Sequence, residues 1–128
     1  MDAISLAAAT YALLTAFIVV FQIALAAGAP LGSYAMGGRF PGVLPPAMRI
    51  AALVQAAMLG ALALVVLERA RLWPMTKPLD GWLMWVVVGV AAVALVMNTI
   101  TPSKGERMVW APVALLMLAS SLTVAFGA

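Results

Sequence analysis

Between Asp2 and Arg39 the chain carries no charged side chain. Its apolar part, residues 3–27, exceeds the roughly 20 residues with which a helix crosses a hydrocarbon core of about 30 Å. Three more apolar segments follow at 47–67, 81–98 and 104–126, the last opening on a charged turn. Hydrophobic residues make up 66% of the chain and charged residues 9%, whereas soluble domains carry about 25% charge. A chain of 128 residues has too much surface for its volume to hide so much apolar area from water. Lipid has to serve as its solvent. The sequence therefore predicts an all-α membrane protein, with one transmembrane domain over residues 1–128 folded as an antiparallel four-helix bundle.

Punctuation residues set the ends of these spans. Ala24-Leu25-Ala26 has the look of a signal-peptidase site, but the start Met-Asp-Ala lacks a positive n-region, so the first span reads as a retained helix. Pro45 and Pro46 precede the second span, where a missing amide costs little. That helix is expected to run on to Arg71, with Pro74 forbidding much more. Asp80 is placed to cap the third span. Ser103 and Glu106 form a Ser-x-x-Glu capping box for the fourth. Trp73, Trp82 and Trp85 mark one membrane boundary, and Trp110 marks the other. Small residues recur at Ala8, Ala12 and Ala16 and at Ala52, Ala56 and Gly60, spacings that let helix backbones approach closely.

An even number of spans puts both termini on one side. Arg69, Arg71 and Lys77 lie with the termini, while Arg39, Arg49, Lys104 and Arg107 lie opposite. Together with Asp2, this balance leans toward termini outside the cell. Absent cysteine and histidine remove disulfides, thiolate nucleophiles and the usual metal ligands and general base. The nine methionines are scattered singly, as packing residues are. No metal or cofactor is expected. The net charge of +3 is divided among short loops, which fits anionic lipid headgroups and not nucleic acid.

Polar residues gather toward one face. Gln22 near the end of span one and Gln55 in span two fall at similar depth beneath it, with Asn98, Thr99, Thr101, Ser103, Glu106, Arg107 and Arg49 nearby. Gln22 and Gln55 either bond each other or a helix backbone as interhelical glue, or line a shallow pocket for a lipid headgroup or small polar molecule. The candidate ligand-binding set is Gln22, Tyr34, Arg49, Gln55, Asn98, Glu106 and Arg107. Glu106 could act as a base, yet no second acid or nucleophile stands at a recognisable spacing, so no enzyme is predicted. The connection from Gly28 to Pro46 is rich in glycine and proline but holds Tyr34, Phe40, Val43 and Leu44. It is too apolar for a free linker and reads as a folded cap over the helix ends. Gly37-Gly38 lacks the strand, helix and Lys-Ser/Thr of a phosphate loop. Ser120, Ser121 and Thr123, deep in span four, are expected to bond back to helix carbonyls.

The pieces Gly28-Ala29-Pro30-x-Gly32, Gly37-Gly38 and Gly42-x-Leu44-Pro45, with Arg49, resemble a group of uncharacterised small bacterial four-helix integral membrane proteins. So does Asn98-x-x-Thr101-x-Ser103-x-x-Glu106-Arg107-x-x-Trp110-x-Pro112. The resemblance implies topology and a bacterial inner membrane but no activity. The small multidrug resistance transporters have a similar size and helix count, but use a glutamate within the first helix. Here no acid stands between Asp2 and Glu68. The translocator-protein group has five spans and a Trp-rich signature that this chain lacks.

The function expected is that of a binding or accessory membrane protein, holding a lipid or small molecule or stabilising a membrane complex. The alternative is an oligomeric small-molecule transporter or channel, although spans one, three and four lack internal charge, which disfavours ion coupling. A lipid-modifying enzyme using Glu106 and Arg107 is the residual reading. Membrane lipids are the expected partners, with a homo-oligomer or larger complex as further possibilities.

Overall fold

The computed structural model describes residues 2–128. It is all-helical: α1 is Ala3–Ala26, α2 Pro46–Arg69, α3 Trp82–Ile100 and α4 Lys104–Gly127. All four are long and apolar enough to cross a membrane; at 1.5 Å per residue they span about 28 to 36 Å. No more than 33% of the most apolar window of any helix is buried within the protein. Leu13, Val20, Ile50, Val93 and Ile100 all point outward. Such surfaces suit acyl chains, so by length and composition the four helices are fit for a multi-pass membrane protein.

α1 and α4 pack together, with α2 against α1 and α3 against α4; α2 and α3 touch each other only sparsely. In a bilayer, packing and hydrogen bonds drive such association, because moving apolar groups out of lipid gains little. Small side chains form the seams, though not all those that spacing predicts. Ala8 is buried, but Ala16 is exposed, and Tyr11 and Thr15 complete the α1 seam. On α2 the seam runs Ala52, Ala56, Ala63 and Val66. A Cβ at Gly60 would meet nothing within 4 Å, so that glycine serves no close approach.

Local chemistry explains the helix ends. Asp2 caps α1 by accepting from the Ser5 amide at 2.7 Å, a bond that holds its carboxyl below the usual carboxylate range. α2 starts with Pro46 at its first turn and stops at Arg69, two residues before the expected end. There Arg71 turns left-handed at φ 62°. Its amide donates to Glu68 O at 2.9 Å and that of Leu72 to Leu67 O at 2.8 Å, the pair of bonds of a Schellman stop. A left-handed arginine costs about 1 kcal/mol or more that glycine does not. Arg71→Gly is therefore expected to stabilise the protein by about 1 kcal/mol, read as a higher thermal midpoint in detergent. An unchanged or lower midpoint would show that the Arg71 side chain, not the turn, governs this end.

Asp80 does not cap α3. Gly81 occupies the cap position without a side-chain bond, and Asp80 Oδ2 instead accepts from Trp82 Nε1 at 3.4 Å. In α4, Ser120, Ser121 and Thr123 bond back to the carbonyls of Met117, Leu118 and Ala119 as expected. Pro112 sits inside α4 and cannot supply the amide that would pair with Met108 O. Near the far ends, Arg69 donates to Ala128 O at 3.0 Å. A Cβ on Gly127 would lie 2.9 Å from Ile4 Cγ1, so the start of α1 and the ends of α2 and α4 come together.

Candidate functional site

The α1–α2 connection is built around close backbone contacts. It contains two 3-10 turns, Gly32–Tyr34 and Met36–Gly38, and Gly32 N donates to Gly42 O at 2.8 Å. Leu25, Ala35, Leu44 and Ala52 form a small core beneath it. Three contacts tie it to α4. Ser103 Oγ donates to Ser33 O at 2.5 Å, and Trp110 Nε1 donates to Tyr34 O at 2.9 Å. The Tyr34 ring rests on Gly105, where a Cβ would come 2.5 Å from its Cδ1.

Below these contacts, all four helices surround a cavity of about 580 Å³. Each helix contributes one stripe at helical spacing. Tyr11, Ile18 and Gln22 come from α1, and Gln55, Met58 and Leu59 from α2. Val90, Ala91, Ala94, Met97 and Asn98 come from α3, and Glu106, Trp110, Val113, Ala114 and Met117 from α4. Residues Tyr34 to Gly37 of the connection complete the lining beside Thr101 and Pro102. Met58 and Met97 of this lining are 47% and 59% exposed, and they belong to α2 and α3, which hardly touch. The walls are mostly apolar, and the amides and the carboxylate belong to the half nearer the connection.

Five of the seven candidate residues, Gln22, Tyr34, Gln55, Asn98 and Glu106, share this lining. Arg49 does not: its Nε donates to Leu44 O at 3.1 Å and its guanidinium lies against Gly28. Arg107 is also outside the lining and donates to Thr101 O. Both arginines satisfy backbone carbonyls and so fasten the connection and the α3–α4 turn. Gln22 Oε1 is buried with no hydrogen-bond partner among the described residues, so that oxygen takes no part in interhelical glue. Asn98 spends its amide nitrogen on Ala94 O at 2.7 Å.

The start of α4 differs from a simple capping box. Ser103 Oγ accepts from the Glu106 amide at 3.2 Å, the expected half. The reciprocal half passes through Thr101, whose Oγ1 accepts from the Ser103 amide at 3.1 Å and donates to Glu106 Oε1 at 2.6 Å. Thr101 thus holds the Glu106 side chain beside the cavity. Trp110 also departs from expectation. It is 9% exposed and stacks at 4.7 Å on Phe21 and 5.7 Å on Phe17, because its N–H finds the Tyr34 carbonyl inside the bundle and not a headgroup outside.

No family model, curated protein or solved structure matches the chain. Its function has to be argued from this cavity. Tyr11, Phe21 and Trp110 are lining residues that a search for polar pairs passes over, although Tyr11 stands on the Gln22 stripe and Trp110 one turn beyond Glu106. A second, outer cavity of about 800 Å³ lies between the connection and the start of α4. Tyr34, Gly37 and Pro102 line both cavities and form the partition between them.

Proposed function

We propose that the protein is a multi-pass membrane binding protein that takes an amphiphilic molecule sideways from the bilayer. The polar end of this ligand sits among Gln22, Gln55, Asn98 and Glu106, and its apolar part lies along Ala91, Ala94 and Met97. One observation carries the reading: a cavity of about 580 Å³ lies among all four helices, with Gln22, Gln55, Asn98 and Glu106 gathered at one end of otherwise apolar walls. Apolar walls with a few convergent polar groups are the ordinary form of a small-molecule site.

The arrangement belongs with an antiparallel bundle whose Gly/Pro-rich connection caps the cavity. In support, Trp110 and Ser103 bond to the connection, and the start of α1 meets the ends of α2 and α4. Both termini then share one side, and Asp2 with the spread of basic residues favours the outer one. The motif resemblance supports a bacterial inner membrane.

Trp110 supplies the test, since it lines the cavity yet is almost hidden from the surroundings. With Trp73, Trp82 and Trp85 replaced by phenylalanine, it is the remaining indole. An amphiphile with a brominated chain is expected to quench its fluorescence saturably. Ala94→Phe, which fills the cavity from α3, is expected to abolish that quenching. Linear, non-saturating quenching that survives Ala94→Phe would defeat the proposal.

A further inference from the structure

We infer that the ligand of this cavity carries a positive charge: the polar end of the site is built for an ammonium group. The inference rests on the amphiphile reading above and specifies its chemistry. Glu106 is the one charged residue in the lining, which contains neither lysine nor arginine. That distribution runs against the chain as a whole, whose basic residues outnumber acidic ones by seven to four. Arg49 and Arg107 stand close enough to be candidates, yet both turn to backbone carbonyls. An anionic headgroup would meet a carboxylate without a compensating cation.

The other groups point the same way. Thr101 engages Glu106 Oε1, which fixes the carboxylate and leaves Oε2 for a ligand. Asn98 has committed its amide nitrogen to Ala94 O and retains its oxygen. The polar end therefore presents acceptors. Phe21, Tyr34 and Trp110 line the cavity near this end, and aromatic rings attract a cation at contact distance. A carboxylate, an amide oxygen and aromatic rings together favour an alkylammonium, whether free in the bilayer or the choline or ethanolamine head of a lipid. Away from water, a single unmatched charge decides which head is admitted.

The test compares heads on one chain length. The full chain, purified in a neutral maltoside detergent, is offered dodecyltrimethylammonium or dodecyl sulfate at equal concentration, and adducts are counted by native mass spectrometry. The cation is expected to bind at least about tenfold more than the anion, and Glu106→Gln is expected to cut it about tenfold, the size of one lost charge contact. The comparison of probes on the unaltered chain needs no variant, so it stands even if Glu106→Gln fails to fold. In parallel arms the chain is offered phosphatidylcholine, phosphatidylethanolamine or phosphatidylglycerol. Retention of the first two but not the third assigns the ammonium to a lipid head. Retention of dodecyltrimethylammonium alone assigns it to a free amine. Equal binding of both dodecyl probes, lost in Ala94→Phe, overturns the charge inference and leaves the amphiphile reading standing. Binding of neither probe overturns both.

Discussion

Gly32→Ala is expected to destabilise the protein by about 3 kcal/mol, the upper end of ordinary overpacking costs, and to detach the connection from α4. Gly32 is buried, and the Cβ of an alanine there would overlap Phe40 O and lie 2.7 Å from Gly42 O. Both obstacles are backbone atoms, so no rotamer change relieves them. The bond from Gly32 N to Gly42 O draws these segments together and would have to open first. Gly60→Ala provides the contrast, since its Cβ enters open space and helix propensity favours it by up to about 1 kcal/mol. Thermal unfolding of the two variants in the same detergent measures the difference. Equal midpoints would show that the close approach at Gly32 does not hold the connection.

This contrast also marks what a sequence can disclose. The spans were legible because uninterrupted apolar length has few other meanings in a chain of this size. Their ends were legible where the signal is local: Pro46 at the first turn of α2 and Ser103 capping α4. The cavity-facing stripes were half legible. Gln22, Gln55, Asn98 and Glu106 each mark one, and helical periodicity extends the stripe through Tyr11, Met58, Ala94 and Trp110. What spacing cannot record is which helices stay apart. The cavity exists because α2 and α3 hardly touch, a property of packing among all four helices that no segment carries alone. The same limit explains Asp80, Gly60 and Arg49. Each has the residue type of a cap, a close contact or a ligand, and each found another partner or none once the helices were in place.

The fold gives the two ends of the site different degrees of freedom. Apolar walls of alanine, valine and methionine fit chains of varied shape, methionine above all. The polar end is fixed by two bonds between elements distant in sequence, Ser103 to Ser33 and Trp110 to Tyr34, and by the local bond from Thr101 to Glu106. Selectivity is therefore expected to reside in the head of a ligand and tolerance in its tail.

Trp110 lines the cavity and bonds to the connection, and Trp110→Ala is expected to cost about 3 kcal/mol or more. Truncation removes the stacking on Phe17 and Phe21 and enlarges the cavity at its back wall. Lipid-side transfer contributes little to that figure, because the indole leaves one apolar setting for another; lost packing contacts account for it. Truncation also strands the Tyr34 carbonyl, to which the indole N–H donates at 2.9 Å. Trp110→Phe separates the two effects. It keeps an aromatic wedge but gives up the hydrogen bond, for a loss of about 1 kcal/mol. Unfolding midpoints should then fall in the order wild type, Trp110→Phe, Trp110→Ala. The hydrogen bond also fixes where the Tyr34 ring sits on Gly105, so Trp110→Phe is expected to weaken amphiphile binding more than its small stability loss implies. Ligand affinity measured for both variants at a temperature where each is folded checks this. If Trp110→Phe binds as wild type does, the bond to Tyr34 matters for folding alone, and the partition between the two cavities is set by other contacts.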